Sequence, residues 1–323
     1  MTARDILSTY YVSIPRVQLL YVLGFSVAAT TYFVVFQKRT ERASLRGLLT
    51  YMFPGQLYTG TSSRIDIWNY FLNLAFIGPI VALTGSLILG ESVRAFLVAH
   101  FGDEPVRLQL TWLVVAVQSA AVYLSGELGS YVWHYMTHRI PVLWHFHRAH
   151  HSAEALTPFT RSRFHPLDEV LSVATRALFG AAGTGCMLYA TGTQLSPTTT
   201  AIVALIMSFW TIVSPLFHSH IPISFGPLNY LLLAPVMHQL HHSAEPRHRD
   251  KNLGGTILIY DWLFGTLYVP KSGEHYRLGL NETEIGENNP YKCLRDIYVR
   301  PLRDLWKSVA SRRAFKEGPK NWS

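Results

Sequence analysis

The sequence is short of cysteine and short of charge. Two cysteines in 323 residues, Cys186 and Cys293, exclude a disulfide scaffold, an iron–sulfur cluster and a cysteine-rich zinc site. No C-x-x-C-H run is present to attach haem, and no G-x-G-x-x-G run is present to cradle a dinucleotide. Only 15% of the residues are charged, against about 25% in a typical soluble domain. Internal repeats and low-complexity tracts are also lacking. Any metal must then be held by nitrogen or oxygen, and electrons for redox chemistry must come from outside the chain.

What the sequence does have is apolar length. Hydrophobic residues make up 49% of it. Five stretches, roughly 15–36, 68–90, 111–133, 169–190 and 197–217, approach or exceed the ~20 residues that cross a bilayer as a helix. The first starts too late and runs too long for a cleaved signal peptide. The expected fold is an all-α integral membrane protein with about four to five transmembrane helices and a histidine-rich helical cap. The expected organisation is membrane spans and loops over 1–110, a catalytic region over 111–270, and a basic tail over 271–323. The segment 227–240 is too short to span and is expected to lie along the interface. Residues 254–270 are expected to form a short hairpin or a packed cap.

The net charge of +8 sits mostly in loops beside apolar segments and in the tail, which suits a membrane surface rather than nucleic acid. Lys38, Arg39, Arg42, Arg46 and Arg64 crowd the first loop, and Arg139, Arg148, Arg161 and Arg163 the third. The positive-inside rule then puts these loops, the histidines and the C-terminus on the cytoplasmic side and the N-terminus outside. No feature sets an oligomeric state.

Fifteen histidines are present, and twelve fall between 134 and 242. His134 and His138 are spaced i, i+4. His147, His150 and His151 are spaced i, i+3, i+4, and His238, His241 and His242 repeat that pattern. On a helix these offsets share one face. Three imidazole-bearing faces result, each able to converge on a metal. Neutral imidazole is the commonest metal ligand. An all-nitrogen set suits iron, zinc, copper or nickel better than magnesium or calcium. Eight or more such histidines exceed what one ion takes and imply two.

At these residues a resemblance is plain. HYMTH (134–138), HRAHH (147–151) and HQLHH (238–242) look like the three histidine boxes of the fatty acid hydroxylase/sterol desaturase superfamily, which are integral membrane non-haem di-iron oxygenases. RFHPLDE (163–169) resembles the family's Arg-x-His-Pro element, and HRDKNLGGTILIYDWLFGT (248–266) the element after the third box. The likeness covers about 120–270. Departures are Tyr135, Leu253 and Tyr260, where the family usually has Arg, Tyr and Trp, and His220 in place of its Asn.

The resemblance implies two iron ions, O2 as cosubstrate and an external electron donor, a reductase or ferredoxin-like protein. It implies a lipid or sterol-like substrate that is hydroxylated or desaturated. It adds His218, at the end of the last span, to the eight box histidines as a ligand. His220 reads as a support to the ligands, and His165 as either a ligand or a hydrogen-bonding side chain. His145 points away from His147 on a helix and reads as interfacial. Glu127, two helical turns before His134 on the same face, reads as a carboxylate behind a ligand, since ligating histidines usually hand their second N–H to one. Asp250 and Asn252 read as supports that fix the chain after the third box. Two other classes use the same side chains: a di-zinc lipid hydrolase, with metal-activated water as nucleophile, and a metal transporter, whose ligands belong near mid-membrane.

Overall fold

The computed structural model describes residues 2–36, 44–80, 90–271 and 273–310. The architecture is all-helical, and no strand forms among the described residues. Among the described residues the principal helices are α1 (Ala3–Phe36), α2 (Leu45–Met52), α3 (Thr61–Leu72), α4 (Gly90–Phe101), α5 (Trp112–Arg139), α6 (Pro141–His151), α7 (Pro166–Thr191), α8 (Pro197–Phe217), α9 (Pro235–His241) and α10 (Leu294–Ala310). Four of the described helices, α1, α5, α7 and α8, are long and apolar enough to cross a membrane. Most of their surface faces outward. In α1 only 11% of the most apolar window is buried, whereas in α5 it is 39%, which makes α5 the central helix. Apolar side chains left outward on this scale need lipid against them.

The fifth expected span, 68–90, is not among these helices. Its first part belongs to α3 and to a π-helical turn, Asn73–Ile77. This part carries buried Asn69 and Asn73, and the α3 turn before it buried Asp66, toward the protein rather than toward lipid. Asn69 and Asn73 both donate to the Ser162 carbonyl, and Asp66 pairs with Arg163. Residues 81–89 lie outside the described residues, as do Lys38, Arg39 and Arg42 of the first loop.

Helix ends are written locally. Thr111 caps α5 by accepting from the Val114 N–H, and Ser196 caps α8 by accepting from the Thr199 N–H. Proline stands at the first position of α6, α7, α8 and α9, where its missing N–H costs nothing. Helix α7 stops at Gly192, whose φ of 60° is the left-handed conformation glycine adopts freely. Helices α5 and α7 pack closely at Gly129, where a Cβ would sit 2.8 Å from the Arg176 Cα. Small residues at such crossings let membrane helices approach.

The segment expected along the interface divides in two. Leu228, Tyr230 and Leu231 are exposed, but Leu233, Ala234 and Met237 are buried with Trp210, Phe217 and Leu258. This second half forms the floor under α9. Residues 254–270 form a packed cap around a short helix, Ile259–Leu263, joined to 232 by a single bridge rather than by a hairpin.

Candidate metal centre

Three helix ends and the chain after α8 bring nine histidines together. The last two turns of α5 carry His134 and His138. Helix α6 carries His147, His150 and His151, α9 carries His238 and His241, and His218 and His242 immediately follow α8 and α9. The side chains form two groups. His134, His138, His147, His151 and His241 are one, and His150, His218, His238 and His242 are the other. Within each group the candidate ligand atoms lie within 4.8 Å of one another.

The helical triplets are divided between the groups. On α6, His147 and His151 face the first group and His150 the second. Around α9, His241 faces the first and His238 and His242 the second. The groups adjoin: the His151 and His242 rings stack with centroids 4.7 Å apart.

The ring atoms suit a metal. In the first group all five Nε2 atoms are buried with no hydrogen-bond partner. In the second the Nε2 atoms meet one another, His218 lying 3.1 Å from His150 and 3.0 Å from His238, and His242 3.3 Å from His238. Buried nitrogens left unpaired, or paired only with each other, are costly unless something else binds them. Burial, reinforced by neighbouring imidazoles, holds His150, His151, His218, His241 and His242 well below the usual histidine range, and His238 at about 3. The rings therefore keep the unprotonated nitrogen a cation needs.

Behind the first group stand acceptors for the Nδ1 atoms. His134 donates to the Leu253 carbonyl at 2.9 Å, His241 to the Lys251 carbonyl at 2.8 Å and His147 to Asp168 at 2.9 Å. His138 Nδ1 is 3.2 Å from Asp250 Oδ1, and Arg139 holds the other oxygen of Asp250 at 3.4 Å. Three of these acceptors come from residues 250–253. Asp250 and Asn252 adopt φ of 54° and 57°, so successive groups of this turn are aimed at successive histidines. Asn252 pins the turn, donating to the Met237 and Tyr268 carbonyls and accepting from the Tyr268 N–H.

Glu127 stands elsewhere than expected. It pairs with Arg176 at 2.9 Å and accepts from the Thr256 N–H and hydroxyl at 2.8 and 2.6 Å, with no bond to a histidine. Seven residues of helix separate it from His134, a rise of about 10 Å. It reaches the first group only through the 253–256 chain that carries the Leu253 carbonyl. Asp168 takes the position expected of it, and was not singled out from the sequence. It is buried at the first turn of α7 and uses both oxygens, one on His147 and one on the Trp133 indole N–H. The available signal was its place three residues after His165 in RFHPLDE.

His165 is in neither group. It caps α7, its Nδ1 accepting from the Leu167 N–H at 3.1 Å, and packs on Phe146. His220 bonds the Tyr51 carbonyl at 2.7 Å and His145 meets Ser308, both away from the groups. Arg163 is fully buried. Besides Asp66 it holds the Ala149 carbonyl at 3.0 Å and the Ser152 hydroxyl, and so braces the end of α6.

The fatty acid hydroxylase family model matches residues 119–266, a stretch that contains all nine histidines. This stretch of the chain, a little under half of it, is similar to the fatty acid hydroxylase family. Among relatives, an ornithine lipid hydroxylase of Rhizobium tropici is 26% identical over 51% of this chain and 46% of its own length. The human alkylglycerol monooxygenase is 28% identical over 58% of this chain and 36% of its own length. A Delta(7)-sterol-C5(6)-desaturase of Nicotiana tabacum is 26% identical over 49% of this chain and 52% of its own length. The match thus spans about half or less of these relatives. No solved structure matches the chain.

Proposed function

We propose that this chain is a member of the fatty acid hydroxylase family and an integral membrane oxidoreductase that uses O2 to oxidise a C–H bond of a lipid or sterol-like substrate, with one iron ion in each histidine group. The observation that carries the reading is the pair of adjoining buried groups, nine imidazoles in all, at the ends of apolar helices. The named relatives support it, being a lipid hydroxylase, a monooxygenase and a desaturase. Neither a di-zinc hydrolase nor a transporter has comparable support.

Lipid C–H bonds resist acid–base attack, so the metal pair, when bound, supplies the O2 chemistry that side chains lack. The chain's own part is to position and to exclude. Asp168, Asp250 and the Lys251 and Leu253 carbonyls hold four rings of the first group in one tautomer and direction. Phe164 stacks on His150 with centroids 4.0 Å apart, and Trp144 lies against His138 and His151, which keeps water from the backs of these rings. A groove of ≈ 290 Å³ between α5, α7 and α8, lined by Val122, Gly126, Val173 and Met207, offers an apolar chain a place beside the central helix.

Hydroxylation of one C–H bond uses one O2, two electrons and two protons, and yields the alcohol and one water. The electrons come from a separate donor protein on the cytoplasmic side, where the catalytic cap faces. The test is metal analysis of protein purified anaerobically in mild detergent, with the His241→Ala, His242→Ala double variant beside it. Since His241 and His242 serve different groups, the variant should lose both irons. Two irons per chain that O2 oxidises after reduction are expected. Iron-loaded protein inert to O2 would overturn the reading.

A further inference from the structure

The two histidine groups differ in what stands behind the rings. In the first, four of the five Nδ1 atoms have an acceptor: Asp168, Asp250 and two backbone carbonyls. In the second, the Nδ1 atoms of His150, His218, His238 and His242 are all buried and none has a hydrogen-bond partner. The rings of the first group are aimed before any ion arrives. Those of the second have no acceptor behind them and meet only one another through their Nε2 atoms.

Charge divides in the same way. Two carboxylates hydrogen-bond rings of the first group, and none bonds a ring of the second among the described residues. The number of available rings runs in the same direction, five against four.

Partners of this kind typically change metal affinity 10–100-fold, because they fix the tautomer and make the lone pair more basic. We propose that the five-histidine group takes the first metal ion and holds it at least about tenfold more tightly than the four-histidine group, so that the second ion is the exchangeable one. Asp168 and Asp250 are then positioning residues for the first ion. The proposal rests on the reading above that both groups bind metal, but it concerns order and affinity and not turnover.

The experiment titrates zinc into the metal-free full chain in detergent, in competition with a chromophoric chelator. Two steps are expected, separated by tenfold or more. His218→Ala should remove the weaker step and leave the tighter one. Asp250→Asn should weaken the tighter step by tenfold or more and leave the weaker one. Asp168→Asn should act in the same way, but Asp168 also holds Trp133, so Asp250, nearer the surface, carries the test if that variant does not fold. Cobalt(II) gives a reading that a purely structural role would not move. The visible bands of the first equivalent should shift in Asp250→Asn and stay unchanged in His218→Ala. Two equal steps, or loss of the tighter step in His218→Ala, overturn the proposal and leave the oxygenase reading standing. A wild-type chain that binds neither zinc nor cobalt overturns both.

Discussion

At the residue scale the centre depends on imidazoles that stay neutral and on carboxylates that are never left alone. His150, His151, His218, His238, His241 and His242 have pKa values lowered by burial, whereas in an unfolded chain they protonate near 6.5. Above about pH 7.5 both states are neutral and these groups add no pH dependence. Below about 6.5 the unfolded chain binds more protons, so stability must fall as pH falls. The unfolding midpoint of metal-free protein should therefore drop on acidification from pH 7.5 to 5.5, and a midpoint that rises would contradict the assignment. Arg163 and Asp66 make a second residue-scale case, both side chains being wholly buried and 2.6 Å apart. Arg163→Met leaves Asp66 without its cation and should cost about 3–5 kcal/mol. The Asp66→Leu, Arg163→Met pair should recover part of that loss in a thermal melt, since it removes the stranded charge.

At the element scale the decisive contact is α5 against α7, because α5 carries His134 and His138 and α7 carries Asp168. Two glycines of α5 separate packing from helix propensity. A Cβ at Gly129 would meet the Arg176 Cα and the Thr175 carbonyl oxygen at 2.8 Å, both backbone atoms that cannot turn aside. A Cβ at Gly126 would have the flexible Arg176 Nε, 3.9 Å away, as its nearest neighbour. Gly129→Ala should force the helices apart, cost about 1–3 kcal/mol and lower metal content. Gly126→Ala should be neutral or gain up to about 1 kcal/mol from propensity. Detergent melts and metal analysis of the two variants read this directly, and equal effects would show that the crossing does not set the site.

At the scale of the whole molecule the question is which side of the membrane the centre faces. The two cysteines offer a test without new mutations. Cys186 lies within α7 and Cys293 just before α10, and both are exposed on the protein surface. If α7 spans a bilayer, Cys186 should be covered by lipid, whereas Cys293, beside the α10 that packs on α6, should remain in water. A membrane-impermeant thiol reagent should label Cys293 in inside-out vesicles and leave it unlabelled in sealed right-side-out ones. The reverse pattern would turn the catalytic side outward and would overturn the orientation taken from the basic loops.

What the sequence determined by itself is what local chemistry can write. Apolar length marked the four long apolar helices, since about 20 residues of helix match a bilayer wherever they occur, but it also marked 68–90, whose described part carries buried Asn69 and Asn73. The offsets of 3 and 4 marked His134, His138 and the two triplets as faces of helices. The spacing did not tell that each triplet serves two groups. Which side of a face meets which neighbour depends on how α5, α6 and α9 cross, and those crossings join residues more than a hundred positions apart, as His134 and Leu253 are. Two of the acceptors behind the rings are backbone carbonyls, which every residue owns, so no residue type announces Lys251 or Leu253. Glu127 and Asp168 make the same point with side chains. A helical wheel puts Glu127 on the face of His134, but a carboxylate reaches a few ångströms and the rise between them is about 10 Å. Asp168 comes from a different helix, and only tertiary packing brings it to His147.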